Sequence, residues 1–193
     1  VPGEACVIAL RHADRGPVRD GSIGADVDLT DVGRARAEAL GRYLREREGL
    51  GTRWAESSGV RRCRETAALI VGAWEAVTEC AELGVSGAFI ADPVEAKRSF
   101  HEHGTTGVVR AALAGAMVPG FRTVEEGARV VLDLVAARLQ HGEGAWLMVS
   151  HDAILMPLIA WAAGERFDDD WLAPLDGGVF VRGAAGIQAI WRG

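Results

Sequence analysis

The chain has 193 residues, 49% of them hydrophobic and 25% charged, enough for one globular domain with a real core. Its net charge of −6 excludes a general affinity for nucleic acid or anionic membrane, although 21 Lys+Arg leave material for a local basic pocket. No apolar run is long enough to span a bilayer, and three cysteines (Cys6, Cys63, Cys80) form neither a disulfide framework nor a zinc spacing.

Ala5-Cys6-Val7-Ile8-Ala9-Leu10 reads as a buried strand, and Arg11-His12-Ala13-Asp14-Arg15-Gly16-Pro17 follows it directly. A Gly- and Asp-rich loop runs from Gly16 to Asp28. Thr30 has the character of an N-cap and opens a helix to about Glu48, with Val32, Ala35, Ala39, Leu40, Tyr43 and Leu44 on one side. A strand over Arg53–Ser57, a helix over Gly59–Trp74 capped by Ser58 and a strand near Ala76–Cys80 follow.

Residues 84–122 are rich in Gly and Pro, with a short helical stretch near Val108–Ala114, and read as an insertion or lid over a site. A helix over Val124–Gln140, a buried strand over Ala145–Ser150 and an apolar helix over Ile154–Ala163 come next, with Pro157 placed in a first turn. Gly178–Arg192 reads as a hairpin turning at Ala184-Ala185-Gly186. Trp146 and Trp161 read as core, and Asp168-Asp169-Asp170 as a solvated run. Strands alternating with helices predict a three-layer α/β/α sandwich with a mostly parallel sheet, residues 1–193 forming one domain.

The opening run places two arginines around a histidine where a strand ends, the edge at which open α/β sheets bind ligands. Arginine there suits a phosphate, because its planar fork bonds two oxygens at once. Ser57-Ser58-Gly59-Val60-Arg61-Arg62-Cys63-Arg64-Glu65-Thr66-Ala67 puts a further arginine near a helix start, and Val149-Ser150-His151-Asp152 puts a histidine and an acid after the second buried strand. If the two strands are parallel neighbours, His12 and His151 emerge at one edge.

Together these pieces resemble the histidine phosphatase superfamily, the phosphoglycerate mutase-like fold. Its Arg-His-Gly motif stands here as Arg11-His12-Ala13, its Leu-Thr-x-x-Gly element as Leu29 to Gly33, and its Arg-x-x-x-Thr-Ala helix start as Arg62 to Ala67. Its second histidine stands as Ser150-His151. Arg15, Pro17 and the His151-Asp152 pair are similar to the acid phosphatase branch.

The resemblance implies ping-pong phosphoryl transfer without metal or cofactor. His12 attacks phosphorus and must therefore be neutral, its other ring nitrogen donating to a carbonyl or carboxylate. Arg11, Arg15 and Arg62 hold the equatorial oxygens, and His151 adds a fourth donor as imidazolium. Asp152 protonates the leaving alkoxide and then activates water. The mutase-like branch takes its acid from the loop after the third strand, which keeps Glu82 in reserve. The implied partner is a small phosphorylated substrate, with no nucleic acid and no membrane.

Arg98, Phe100, His101 and His103 are candidates to read the rest of that substrate. His101-Glu102-His103 alternates like a metal site but lacks further ligands, so a lid contact or a solvated loop is the simpler reading. Arg61 and Arg64 read as exposed helix charges, Asp14 as an orienting or solvated acid. A phosphomutase, a phosphohistidine-protein phosphatase and a repurposed phospho-ligand binder remain alternatives. The odd cysteine count and a Val1-Pro2-Gly3-Glu4 start without basic residues point to the cytoplasm.

Overall fold

A computed structural model describes residues 5–18, 24, 26–46, 49–141, 144–167, 170–184 and 186–192. Part of the Gly16–Asp28 loop, Glu48, Ala185, and Asp168 and Asp169 of the acidic run lie outside the described residues. The strands are β1 (Cys6–Arg11), β2 (Thr52–Ser57), β3 (Val77–Glu79), β4 (Ala145–Ser150), β5 (Gly177–Gly183) and β6 (Gly186–Arg192). The helices are α1 (Asp31–Glu46), α2 (Arg61–Val71), α3 (Pro93–Leu113), α4 (Val124–Leu139) and α5 (Asp152–Ala163).

The sheet order is β3-β2-β4-β1-β5-β6. β3, β2, β4 and β1 run parallel, whereas β5 and β6 add an antiparallel hairpin beside β1, so the sheet is mixed. Period-two alternation in β1 and β4 divides the core. Cys6, Ile8, Leu10, Leu147 and Val149 pack with α1 and α2 on one face. Val7, Ala9 and Met148 pack with α4 and α5 on the other. That gives the three-layer α/β/α arrangement. Among the described residues, no helix is long and apolar enough to cross a membrane.

Local chemistry explains the helix ends. Thr30 Oγ1 accepts from Gly33 N at 3.0 Å, as an N-cap should. Thr123 and Glu126 form a reciprocal capping box at the start of α4. Ser58 Oγ accepts from Val60 N, but the N-cap position of α2 is Val60. Pro157 lies in the second turn of α5 rather than the first.

The expected apolar side of α1 is only partly its buried side. Leu44 is buried and Leu40 packs against the core as expected, but Val32 and Tyr43 are exposed, and the rest of the buried face is Gly33, Ala37 and Gly41. The reason is close approach. A Cβ on Gly41 would sit 2.2 Å from the Ile70 carbonyl oxygen of α2, and one on Gly33 would sit 2.2 Å from the Asp14 carbonyl oxygen. Helix propensity alone favours Ala over Gly by about 1 kcal/mol. The backbone clash at Gly41 outweighs this, so Gly41→Ala is expected to destabilise by about 1–3 kcal/mol. A urea midpoint unchanged or raised would contradict the tight α1–α2 seam.

Trp161 is exposed, and Trp146 is half-buried, stacked on Trp54 with ring centroids 5.3 Å apart. Neither is central core. The largest departure concerns residues 84–122. Instead of irregular loop, they supply the 21-residue α3, of which the expected Val108–Ala114 stretch is the end. Its backbone breaks at Gly104 (φ 65°, ψ 169°), a left-handed φ that suits glycine.

Candidate active site

Three parallel strands, β2, β4 and β1, end at the same edge, so Ser57-Ser58, His151 and His12 emerge side by side. His12 N–H donates to the Ser150 carbonyl at 3.0 Å, which splices the two histidine segments together. The His12 and His151 rings meet edge to face, centroids 5.5 Å apart.

The motif residues lock this edge to the helices. Thr66 Oγ1 donates to the Arg62 carbonyl one helical turn back (2.7 Å) and accepts from Ala13 N (3.1 Å). Thr30 N–H donates to the Asp14 carbonyl at 2.9 Å, the same oxygen that excludes a side chain at Gly33. Ala13 takes the place of the motif glycine, and its methyl is fully buried in the core on the α1/α2 face.

The strand edge and α3 enclose a cavity of about 520 Å³. Arg11, His12, Arg15, Arg62, His151 and Asp152 all line it. The structure thus brings together every residue proposed for phosphate contact. Three guanidinium groups, Arg11, Arg15 and Arg62, face one carboxylate among the described lining residues, a balance that favours an anion, and Lys97 stands at the rim. Nε of Arg11 and Nε of Arg62 are buried without a partner among the described residues, N–H groups that a bound phosphate could satisfy.

His12 Nδ1 lies 2.8 Å from the Ala13 carbonyl oxygen, so Nδ1 carries the proton and Nε2 keeps its lone pair. Burial is the main cause that lowers its pKa to about 4, with Arg62 and Arg11 adding. The ring is neutral, as a nucleophile needs.

His151 corrects the sequence reading. Arg62 donates to its Nδ1 (3.3 Å), and Nε2 lies 3.0 Å from Ser58 Oγ, so Nε2 carries the proton. Burial foremost, then the Arg62 charge and His12, lower its pKa to about 3. It is a neutral imidazole, not an imidazolium.

These shifts make a stability prediction. Both folded pKa values lie below the ordinary 6.5, so the unfolded chain binds the protons first as pH falls. The stability from the two neutral rings is complete above pH 6.5. It is lost progressively down to about pH 4 for His12 and about pH 3 for His151. The slope is up to about 1.4 kcal/mol per pH unit per ring. Urea unfolding is expected to give a clearly lower midpoint at pH 5 than at pH 7. Equal midpoints would contradict neutral burial.

Asp152 accepts from Ala153 N (2.9 Å) and Trp171 Nε1 (2.8 Å), and pairs with Arg11 (2.9 Å). Burial alone would raise its pKa, but Arg11, Trp171 and Ala153 outweigh this and hold the carboxyl below its usual range. Arg11 also donates to the Leu172 carbonyl, so Asp152 and the β5 approach orient it jointly.

Glu82 does not line the cavity. It follows β3 and accepts from the Cys80 thiol (3.2 Å), with its pKa lowered by hydrogen bonding to its own backbone and to Cys80. Its place in the chain suited the reserve role, but its direction does not. Of the four lid candidates only Phe100 lines the cavity. Arg98 pairs with Glu95 (2.6 Å), and His101 and His103 are exposed and lie beside, not on, the Pro93, Ala96, Lys97 and Phe100 stripe of α3.

Sequence reasoning missed Lys97, Phe89, Ile90, Phe121 and Trp171. The i, i+3, i+4, i+7 spacing from Pro93 to Phe100 was the available signal. Asp14 pairs with Arg36 (2.8 Å), Arg61 approaches Asp28 (3.5 Å), and Arg64 stacks on Trp74 (4.7 Å), so none of these contacts the cavity. Among the described residues, no three His, Cys, Asp or Glu side chains group to hold a metal ion.

The sequence model of the histidine phosphatase superfamily (branch 1) matches residues 7–179. The chain belongs to the histidine phosphatase superfamily. The Arg15/Pro17 and His-Asp details similar to acid phosphatases are not part of what that match carries.

Solved structures agree on the phosphoglycerate mutase-like fold. A mycobacterial glucosyl-3-phosphoglycerate phosphatase aligns at TM-score 0.64 and 17% identity, covering 96% of this chain and 97% of that one. A phosphoglycerate mutase from Bacillus anthracis aligns at 0.65 and 15%, covering 98% and 93%. A phosphoserine phosphatase variant from Entamoeba histolytica, in complex with phosphoserine, aligns at 0.62 and 15%, covering 96% and 94%. No curated protein matches by sequence.

Proposed function

We propose that this protein is a metal-independent phosphatase that hydrolyses a small phosphomonoester through a phosphohistidine on His12. The observation that carries the reading is the His12 ring. It is buried, neutral, fixed by the Ala13 carbonyl, and turned into a cavity rimmed by Arg11, Arg15 and Arg62.

In the first step His12 Nε2 forms a bond to phosphorus as the ester P–O bond breaks. The three guanidinium groups take up the charge gathering on the equatorial oxygens, work that a metal does elsewhere. His151 keeps its neutral ring beside Arg62, Nδ1 accepting from that guanidinium and Nε2–H held at Ser58 Oγ, so it positions Arg62 for the phosphate. Asp152 is the one carboxyl on the described lining and the candidate acid. It is ionised in the free protein, so it gains its proton with the substrate, when the phosphate draws on the Arg11 charge that holds it ionised. It gives that proton to the leaving alkoxide. In the second step water attacks phosphorus, Asp152 takes its proton, the N–P bond breaks and inorganic phosphate leaves.

Residues 84–122 act as the lid within a single domain of 1–193. The three free, buried cysteines fit a reducing compartment, the cytoplasm.

Phosphate release from p-nitrophenyl phosphate and a panel of monoesters in excess EDTA tests the reading. Release that survives the chelator is expected. Release abolished by EDTA and restored by a divalent metal would overturn it. Transfer to a second hydroxyl without phosphate release would make the protein a mutase.

A further inference from the structure

Resting on that reading of the site, we propose that the alcohol esterified to the phosphate is a compact apolar group, aromatic or similar in size, rather than a sugar, polyol or hydroxy acid. The cavity of about 520 Å³ lies in the range that takes an organic ligand of about 300–1,000 Å³, well beyond a phosphoryl group alone. Its phosphate side is the strand edge. The remainder of the lining comes mainly from residues 85–121, and its depth is hydrocarbon. Phe89 and Ile90 are 4% and 6% exposed, and Phe100 meets Phe121 edge to face at 5.1 Å.

The polar groups on that wall sit mostly at its mouth. Ser86, Lys97 and Thr106 are exposed and mark the rim, Thr105 is half-buried and offers one hydroxyl, and Lys97 can lay its stem on the cavity while its ammonium stays in water. Beyond the strand edge, the described lining offers no carboxylate or amide side chain to pair with buried hydroxyls. A sugar would therefore leave polar groups unsatisfied at depth, whereas an aromatic ring would not.

This apolar wall is also preformed. Ile90 and Phe121 form an antiparallel bridge, and Arg122 ties down the same segment through its N–H to the Phe89 carbonyl and its guanidinium to the Ala88 carbonyl, both at 2.9 Å. Gly127 makes room for the Phe89 ring, since a Cβ there would lie 2.1 Å from Phe89 Cδ1. A fixed apolar surface gains affinity from burial without an ordering cost.

The test is calorimetric binding of non-hydrolysable methyl-, benzyl- and 2,3-dihydroxypropylphosphonate to the whole protein, with turnover of phenyl and glyceryl phosphate measured alongside. Benzylphosphonate is expected to bind at least about 30-fold tighter than methylphosphonate. The dihydroxypropyl compound is expected to match methyl. Phe100→Ala is expected to bring the benzyl-to-methyl ratio within about 5-fold, while Phe100→Leu keeps most of it. A dihydroxypropyl compound that binds as tightly as benzyl, or three equal affinities, would overturn the inference. The two readings fail separately. Esters turned over without apolar preference would sink this inference and leave the hydrolase. The benzyl preference without turnover of any ester would do the reverse.

Discussion

His12→Ala is expected to lower kcat/KM for every phosphomonoester by about 10⁴-fold or more, because it removes the atom that bonds to phosphorus. The effect should fall on kcat, since Arg11, Arg15 and Arg62 still line the cavity and can hold the phosphate. His12 also sits in a structural seam, its N–H bonded to the Ser150 carbonyl, but that bond belongs to the backbone and survives the substitution. The variant should therefore fold. Near-parent turnover in a folded His12→Ala protein would remove the residue from the chemistry. The measurement is steady-state phosphate release, with circular dichroism to establish folding.

Arg62→Ala is expected to cost about 10²–10³-fold in kcat, the effect of removing one strong donor from a developing phosphoryl charge. Arg62→Lys should recover little of it, because an ammonium cannot present the paired N–H groups of a guanidinium. The variant has a second signature. Arg62 donates to His151 Nδ1, and its charge helps hold that ring neutral. Without it the His151 pKa should rise from about 3, visible as a shift in its imidazole NMR titration. A kcat loss with an unmoved titration would mean that Arg62 serves the phosphate but not His151. No kcat loss would exclude Arg62 from the phosphate site.

The sheet, and the gathering of the candidate site residues at one of its edges, were legible in the sequence for a physical reason. His12 and His151 each follow a buried strand, and parallel pairing of β1 with β4 sends both to one edge. The Arg62–Thr66 and Thr30–Gly33 spacings encode contacts that a local pattern can carry, a hydroxyl one helical turn from a carbonyl and a capped helix start. What escaped was direction. Glu82 has the right place in the chain but turns to Cys80, and His101 and His103 lie on α3 but off its cavity stripe. The α1 face was partly misjudged because its seam is built from Gly33 and Gly41, which show no hydrophobic signal. The ionisation of His151 and Asp152 could not be read either. It depends on burial and on the Arg11 and Arg62 charges arriving from distant segments.

The central claim is a covalent phosphohistidine on His12, and rapid acid-free quenching during turnover of p-nitrophenyl phosphate tests it most directly. Peptide mass spectrometry under mildly alkaline conditions should find one acid-labile phosphoryl group on the peptide that contains His12, and none in His12→Ala. Phosphate released in the first turnover with no phosphoenzyme, or a phosphoryl group on another side chain, would contradict it.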